Sequence, residues 1–254
     1  MSAITHMLAT DLDGTLVGEE DGLKQLINYY ENLPYEVALV YITGRHLESA
    51  ISLIKSENLS MPKLLVTDVG TSIYEGSNKQ ADPDWQEKMM KDWKPHLIRE
   101  LATNFPQIRL QQLPDDRRVS FEIEADNNSA VVGKFKNALD AAEIAHKFIF
   151  SSGRDIDILP IGSGKGEALR YIVEKYADCD TSILVAGDSG NDLEMLTLGY
   201  PSVIVANVEK NFWKLMSTRN YSEQQKIVPE EYMKLGTTFT VEYLPPPNFC
   251  RILS

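Results

Sequence analysis

The 254-residue sequence predicts an α/β fold, a mostly parallel sheet interrupted by a smaller α+β insert. Three observations predict it. Short, continuously apolar runs alternate with segments of helical spacing in the first third of the chain, as strands buried on both faces of a parallel sheet require. The middle third loses that regularity and shows patchier, alternating strands. Beyond about residue 160 the strand–helix alternation returns.

The elements follow in order. MLAT (7–10) reads as a short strand running into acidic residues, and ALVYIT (38–43) as a second, ended by Gly44 and Arg45. HLESAISLIKSENL (46–59) has apolar residues at helical spacing, and KLLVTD (63–68) is a third strand closed by glycine. WQEKMMKDWKPHLIRELATNF (85–105) is a polar helical stretch interrupted near Pro95. IRLQQLP, VSFEIEA and KFIFSSGRDIDILP suit antiparallel strands, with the helix-like VVGKFKNALDAAEIAH between the last two. GKGEALRYIVEKYA (helix), TSILVAGD (strand), NDLEMLTLG (helix) and PSVIVAN (strand) complete the chain's regular part. These patterns place the main domain at 1–82 and 161–254 and the insert at 83–160. The tail carries YLPPPNFC (243–250), whose prolines favour an extended segment.

Bulk properties exclude several classes. The formal charge is −12, from 25 basic and 37 acidic residues, which opposes nonspecific binding to a nucleic-acid backbone. It leaves room for an anionic small substrate, because one cation reverses the field locally. Cys179 and Cys250 form no close-spaced metal or redox motif, and a reduced, cytoplasmic protein is the simpler expectation. The N-terminus lacks a signal-like pattern, and no apolar run is long enough to span a membrane. His6, His46, His96 and His146 are scattered and suit surface or packing positions better than a metal site. Nothing settles the oligomeric state, and a monomer suffices.

In parallel α/β sheets ligands sit beyond the carboxyl ends of the strands. The residues that end the strands here are Asp11 and Asp13, Thr43 with Gly44 and Arg45, Asp68, and Asp188, with Asn191 and Asp192 just after. Several carboxylates crowding one crevice need a cation or raised pKa values, and all-oxygen ligands favour Mg²⁺. Asp11 and Asp13 lie two apart and share a face of an extended chain. One suits a nucleophile or metal ligand and the other a general acid–base, although a surface β-turn explains DLDG equally well in isolation. Gly14 lets the backbone pass close to a bound anion. In GDSGND (187–192), ordinary helix capping explains one acid but not two. Thr43 and the N–H of Gly44 are phosphate donors against the plain alternative of a β-branched strand residue, and Arg45 is long enough to reach a substrate. Lys165, in GSGKGEALR, precedes a helix and is placed to neutralise a transferring phosphoryl group. A nucleotide P-loop fails, because Leu159 stands where its first glycine belongs and Gly166 where Ser or Thr does. A dinucleotide fingerprint fails at Glu167.

DLDGT, the hydroxyl at the next strand end, the lysine before a helix and GDSGND, in this order, resemble the four-part set of the haloacid dehalogenase-like phosphohydrolases. FIFSSGRDIDILPIGSGKGEAL, LVTDVGTSIY and GDSGND are similar to the sucrose-phosphate phosphatase family within it. The resemblance implies a Rossmann-like core, an inserted cap domain for substrate recognition, and Mg²⁺ on Asp11, the main-chain carbonyl of Asp13, Asp188 and Asp192. It implies that Asp11 attacks phosphorus, Asp13 serves as acid and base, Thr43 and Lys165 hold the phosphoryl oxygens, and Asn191 orients the site. Sucrose 6-phosphate is the first expected substrate. Mannosylfructose phosphate, glucosylglycerol phosphate and mannosyl- or glucosyl-3-phosphoglycerate are alternatives, with DDRR (115–118) keeping a carboxylate-bearing substrate open. A phosphosugar mutase and a non-catalytic sugar-phosphate-binding domain are the readings from other classes. In the cap, Arg154, Asp155 and Asp157 are expected sugar contacts, with Ser151, Ser152 and Glu122 beside them. The plain alternative for both aspartates is solvent-facing alternation, and for Lys134 and Lys136 a solvated helix. Asp68 departs from the small or uncharged residue that the resemblance leads one to expect there, and a chain without the C-terminal extension of plant members suggests a compact, bacterial-type enzyme.

Overall fold

The computed structural model describes residues 4–18, 20–76, 79–124, 128–151 and 153–205. The α/β reading holds, with two sheets. The larger has seven strands in the order β11-β10-β1-β2-β3-β4-β5. The centre of its parallel part is β1 (Ile4–Thr10), flanked by β2 (Ala38–Ile42) and β10 (Ala177–Gly187). Beyond them β3 (Leu64–Thr67) and β11 (Ser202–Ile204) also run parallel. β3 is buried throughout, which is why its sequence is continuously apolar up to Thr67.

The far edge departs from a wholly parallel sheet. β3 turns directly into β4 (Ser72–Glu75), and β4 into the two-residue β5 (Gln80–Ala81), both antiparallel. A single turn of 3₁₀ helix, Asp68–Gly70, makes the first reversal. Asp68 and Val69 both take left-handed conformations, with φ of 52° and 57°. Aspartate tolerates that region, whereas a β-branched valine does so only when its surroundings hold it there. The hold is visible: Asp68 N–H donates to Arg45 O (2.8 Å) and Val69 N–H to Thr43 O (3.2 Å). Gly70 is required for a different reason, since a Cβ there would lie 2.3 Å from the Gly164 backbone.

Helices α1 (Glu20–Glu31) and α2 (Leu47–Ser56) connect the first strands, and α1 is not apparent from the sequence pattern. α3 (Pro83–Met90) starts with Asp82 capping the Trp85 N–H at 3.0 Å. The sequence pattern starts the insert at 83, yet Trp85 and Met89 pack into the main sheet's hydrophobic cluster. The WQEKMM half of that polar stretch is therefore amphipathic, with Trp85 and Met89 turned onto the sheet and Met90 exposed.

The smaller sheet is antiparallel, in the order β6 (Ile108–Leu110), β7 (Val119–Ile123), β9 (Asp155–Leu159), β8 (Lys147–Ser151). α4 (Pro95–Ala102) and α5 (Asn128–Ala141) cover one face. Phe135 of α5 centres this separate core, with edge-on contacts to Phe105 and Phe121. Lys134 and Lys136 lie on α5 away from that core, solvated as helix lysines usually are. The sheet's other face is largely polar and meets the larger domain: Lys147 pairs with Glu194 and donates to Ser163 O at 2.7 Å. The chain returns through α6 (Lys165–Tyr176), β10, a 3₁₀ turn at Gly190–Asp192, the short α7 (Leu193–Leu196) and β11. Ser152, Cys250 and the proline-rich stretch 243–250 lie outside the described residues.

Candidate active site

Strand register gathers the polar strand ends into one row. Thr10 is level with Ala186 on one side and with Tyr41 on the other, and Ile42 is level with Val66. The next residues on these strands are Asp11, Gly187–Asp188, Thr43 and Thr67–Asp68, so all of them emerge at the carboxyl edge. Gly14, at φ 79°, folds the chain back there, and its N–H donates to Val17 O at 2.8 Å.

Lys165 is the centre of the site. It is 1% exposed, and its Nζ donates to Asp11 Oδ1 and Asp192 Oδ1, each at 2.6 Å. Burial disfavours its charge, but the two carboxylates outweigh that and hold it protonated above the usual lysine range. Asp11 is 4% exposed. Burial pushes its carboxyl up to about 7; Lys165 opposes this, and the charges of Asp192 and Asp188 reinforce it.

Asp192, fully buried, accepts four hydrogen bonds. Oδ1 takes Lys165, while Oδ2 accepts from the Asp188 N–H (3.1 Å), the Ser189 N–H (3.0 Å) and the Ser189 hydroxyl (3.0 Å). Oδ2 is thus crowded with donors, whereas Oδ1 keeps an acceptor position beside the lysine. Asn191 Oδ1 shares the same Ser189 hydroxyl at 3.0 Å, so it is fixed by the turn. Asp188 is half-buried, and its Oδ1 accepts from Thr15 Oγ1 at 3.1 Å.

Carboxylate oxygens of Asp11, Asp188 and Asp192 lie within 4.8 Å of one another. Three such charges against one lysine leave a net of −2, which a divalent cation balances, and the all-oxygen donor set suits Mg²⁺. None of the four histidines belongs to this group.

Thr43 is fully buried, with its Oγ1 accepting from the Arg45 N–H at 3.1 Å, which leaves the hydroxyl proton to donate elsewhere. Gly44 stands between them at the edge. The Asp13 side chain turns away from the three clustered carboxylates. It is 49% exposed and is held by a guanidinium fork: Arg45 Nε to Oδ2 at 2.7 Å and Nη2 to Oδ1 at 2.6 Å. Arg45, expected to reach a substrate, is occupied here with Asp13 and with Ser49 Oγ at 2.9 Å.

The cap residues divide. Arg154 is exposed in the β8–β9 turn and reaches its neighbour Asp155, at 3.3 Å. Asp155 and Glu122 sit side by side on the polar face, each 3.4 Å from Gln111 Nε2. Ser151 is level with Asp155 on the same face. Asp157 is buried instead, its Oδ1 accepting from Arg118 (2.7 Å) and the Ser120 hydroxyl (2.5 Å). Solvent-facing alternation fails for it, because this face of the sheet is turned onto the larger domain. Asp68, buried at 3% exposure, pairs with the same Arg118. Burial raises the Asp68 carboxyl pKa, with Arg118 opposing.

Sequence reasoning misses Thr15, Ser189, Lys147 and Glu194, and finds Arg118 only as part of a charge cluster. Thr15 is legible in principle, sitting in the same turn as Asp13.

Known proteins fit this picture. A profile of sucrose-6F-phosphate phosphohydrolases matches residues 4–236. Sucrose-phosphatase 1 of Nicotiana tabacum is 31% identical over 236 residues, covering 86% of this chain and 55% of its own length. The chain thus spans about half the length of the curated plant relatives it matches. The mannosylfructose-phosphate phosphatase of Agrobacterium fabrum is 28% identical, with 80% of this chain and 83% of its own covered. Among solved structures, the sucrose-phosphatase of Synechocystis, in complex with sucrose and phosphate, superposes with a TM-score of 0.79 at 28% identity, covering 87% of this chain and 93% of its own. With its matched span, its two-sheet architecture and its lysine-bridged acid cluster, the chain belongs to the sucrose-6F-phosphate phosphohydrolase family of haloacid dehalogenase-like proteins.

Proposed function

We propose that the protein is a Mg²⁺-dependent phosphomonoesterase acting on a glycosyl phosphate, with sucrose 6-phosphate as the substrate the relatives favour. One observation carries the reading: a buried lysine bridging Asp11 and Asp192, with Asp188 alongside, at the carboxyl edge of a parallel sheet.

Asp11, Asp188 and the main-chain carbonyl of Asp13 would hold the metal. Asp192 would join directly or through water, its Oδ1 accepting, among the described residues, only the Lys165 ammonium. When bound, Mg²⁺ neutralises charge on the phosphoryl oxygens and keeps Asp11 ionised. Asp11 attacks phosphorus, the P–O bond to the sugar breaks, and an aspartyl-phosphate forms. Asp13 gives its proton to the departing sugar oxygen. It then takes one from a water that attacks the same phosphorus, so the P–O bond to Asp11 breaks and phosphate leaves. Thr43, the Gly44 N–H and Lys165 hold the phosphoryl oxygens, and Asn191 keeps the acidic turn in place. The insert, roughly 83–160, is the cap that reads the sugar. Arg154, Asp155 and Glu122 supply its donors and acceptors, and Asp157 seats the cap.

Phosphate release tests this across sucrose 6-phosphate, mannosylfructose phosphate, glucosylglycerol phosphate and monosaccharide phosphates, with Mg²⁺ and with chelator. A steep preference for sucrose 6-phosphate that chelator abolishes is expected. Preference for mannosylfructose phosphate, which the Agrobacterium relative's name specifies, would replace the substrate and keep the chemistry. Absence of release from every compound would overturn the phosphatase reading.

A further inference from the structure

Lys165 has to meet Asp11, Asp192 and an incoming phosphoryl group at once, yet its ammonium rides on a flexible four-carbon stem. It is therefore only as well placed as the backbone that carries it. That backbone opens α6 with Gly164 in the capping position, where there is no side chain to secure the first turn. The glycines of GSGKG form neither a nucleotide loop nor a dinucleotide fingerprint, and their use lies elsewhere.

Three elements close on this segment. The turn between β3 and β4 approaches the Gly164 backbone at Gly70. Lys147 of β8 approaches from the smaller sheet: its Nζ donates to the Ser163 carbonyl at 2.7 Å and pairs with Glu194. Glu194 belongs to α7, two residues beyond Asp192. A Cβ on Gly164 would lie 2.9 Å from Glu194 Oε2 and closer still to Lys147 Nζ. One on Gly166 would lie 2.6 Å from Glu194 Cβ. The two glycines flanking Lys165 thus leave room for the Lys147–Glu194 pair to sit directly on its backbone. Ser163 is fully buried, and its N–H (3.2 Å) and hydroxyl (2.6 Å) both donate to Pro160 O, so the segment is held from within as well.

We propose that Lys147 is a positioning residue for Lys165, with Glu194 as its anchor on α7. The pair locks the segment that carries the lysine to the helix that follows the Asp188–Asp192 turn, so that ammonium and carboxylates keep one spacing. This rests on the phosphoryl-holding role given to Lys165 above.

Lys147→Met tests it, because methionine keeps most of the side chain's length and removes the ammonium. Steady-state kinetics with Mg²⁺ would be measured on the preferred glycosyl phosphate and on p-nitrophenyl phosphate. Beside them stands inhibition by orthovanadate, which adopts the five-coordinate geometry of phosphorus during transfer. The expected result is a fall in kcat of about tenfold on both substrates with KM little changed, and orthovanadate inhibition weakened by a similar factor. A merely structural role would lower the active fraction and leave the vanadate constant where it was. Glu194→Gln should shift both quantities in the same direction but less, because Lys147 still holds the Ser163 carbonyl. The double variant should be no worse than Lys147→Met alone. Should Lys147→Met not fold, Glu194→Gln has to show the paired fall in kcat and in vanadate affinity by itself. A loss confined to the glycosyl phosphate, a fall in kcat with an unchanged vanadate constant, or no loss on either substrate would overturn the proposal. Failure of the unaltered protein to release phosphate from either compound would instead remove the phosphatase reading itself.

Discussion

The acid cluster of the larger domain and the polar face of the smaller sheet are built in opposite ways. On the larger domain, Asp11, Lys165 and Asp192 are buried and bonded at 2.6 Å, and Asp192 accepts four hydrogen bonds in all. On the cap, Asp155, Glu122 and Gln111 lie at 3.4 Å and Arg154 is exposed, so these groups can be rearranged at little cost. The difference teaches where each task resides. Charge stabilisation in a transition state depends on groups fixed before the reaction, whereas binding of hydroxyls tolerates side chains that adjust.

Breaking the rigid side should have the largest effect. Lys165→Ala leaves the Asp11 and Asp192 carboxylates facing each other with no cation between them, and kcat for phosphate release should fall by about 10³-fold or more. A fall of less than tenfold would show that the lysine is a packing residue. On the adjustable side, Asp155→Asn should raise KM for the preferred sugar phosphate by about tenfold, with kcat on p-nitrophenyl phosphate unchanged, because only one loosely held acceptor is altered. A matching loss on both substrates would mean that the cap face is held as rigidly as the core.

The smallest expected effect lies away from the cleft, where α3 meets α6. Burial would raise the Asp82 pKa, but hydrogen bonds from Lys175, the Trp85 N–H, Tyr171 and Tyr176 outweigh it and hold the carboxyl down at about 2. A group whose folded-state pKa is depressed contributes its full stability above its ordinary value of 3.8 and loses it as pH falls toward 2. Urea unfolding of the protein and of Asp82→Asn should therefore differ at pH 6 and converge between about pH 4 and pH 2. A constant difference would place the effect in packing.

Much of this is legible in the sequence where local pattern decides the outcome. Asp11, Thr43 and Asp188 end apolar strands, and register then has to gather them on one edge. Lys165 opens a helix, where its side chain meets Asp11 and Asp192. What is not legible depends on which way a surface faces. Asp157 alternates with Ile156 and Ile158 as an exposed residue does, and nothing in that spacing tells water from the larger domain. The Asp68–Arg118 pair joins residues fifty positions apart in different domains. α3 looks polar because only Trp85 and Met89 of its eight residues are buried. Arg45 looks free to reach a substrate because its bond to Asp13 crosses thirty-two positions.

The join between β9 and α6 sets a mechanical limit. Only five residues separate Leu159, the last of β9, from Lys165. Fully extended, those six steps reach about 20 Å, and Lys147 fastens them midway by donating to the Ser163 carbonyl. The cap can pivot about this short tether but cannot drift from it. A pull on β9 is thereby delivered, through a handful of peptide bonds, to the first turn of the helix bearing the lysine.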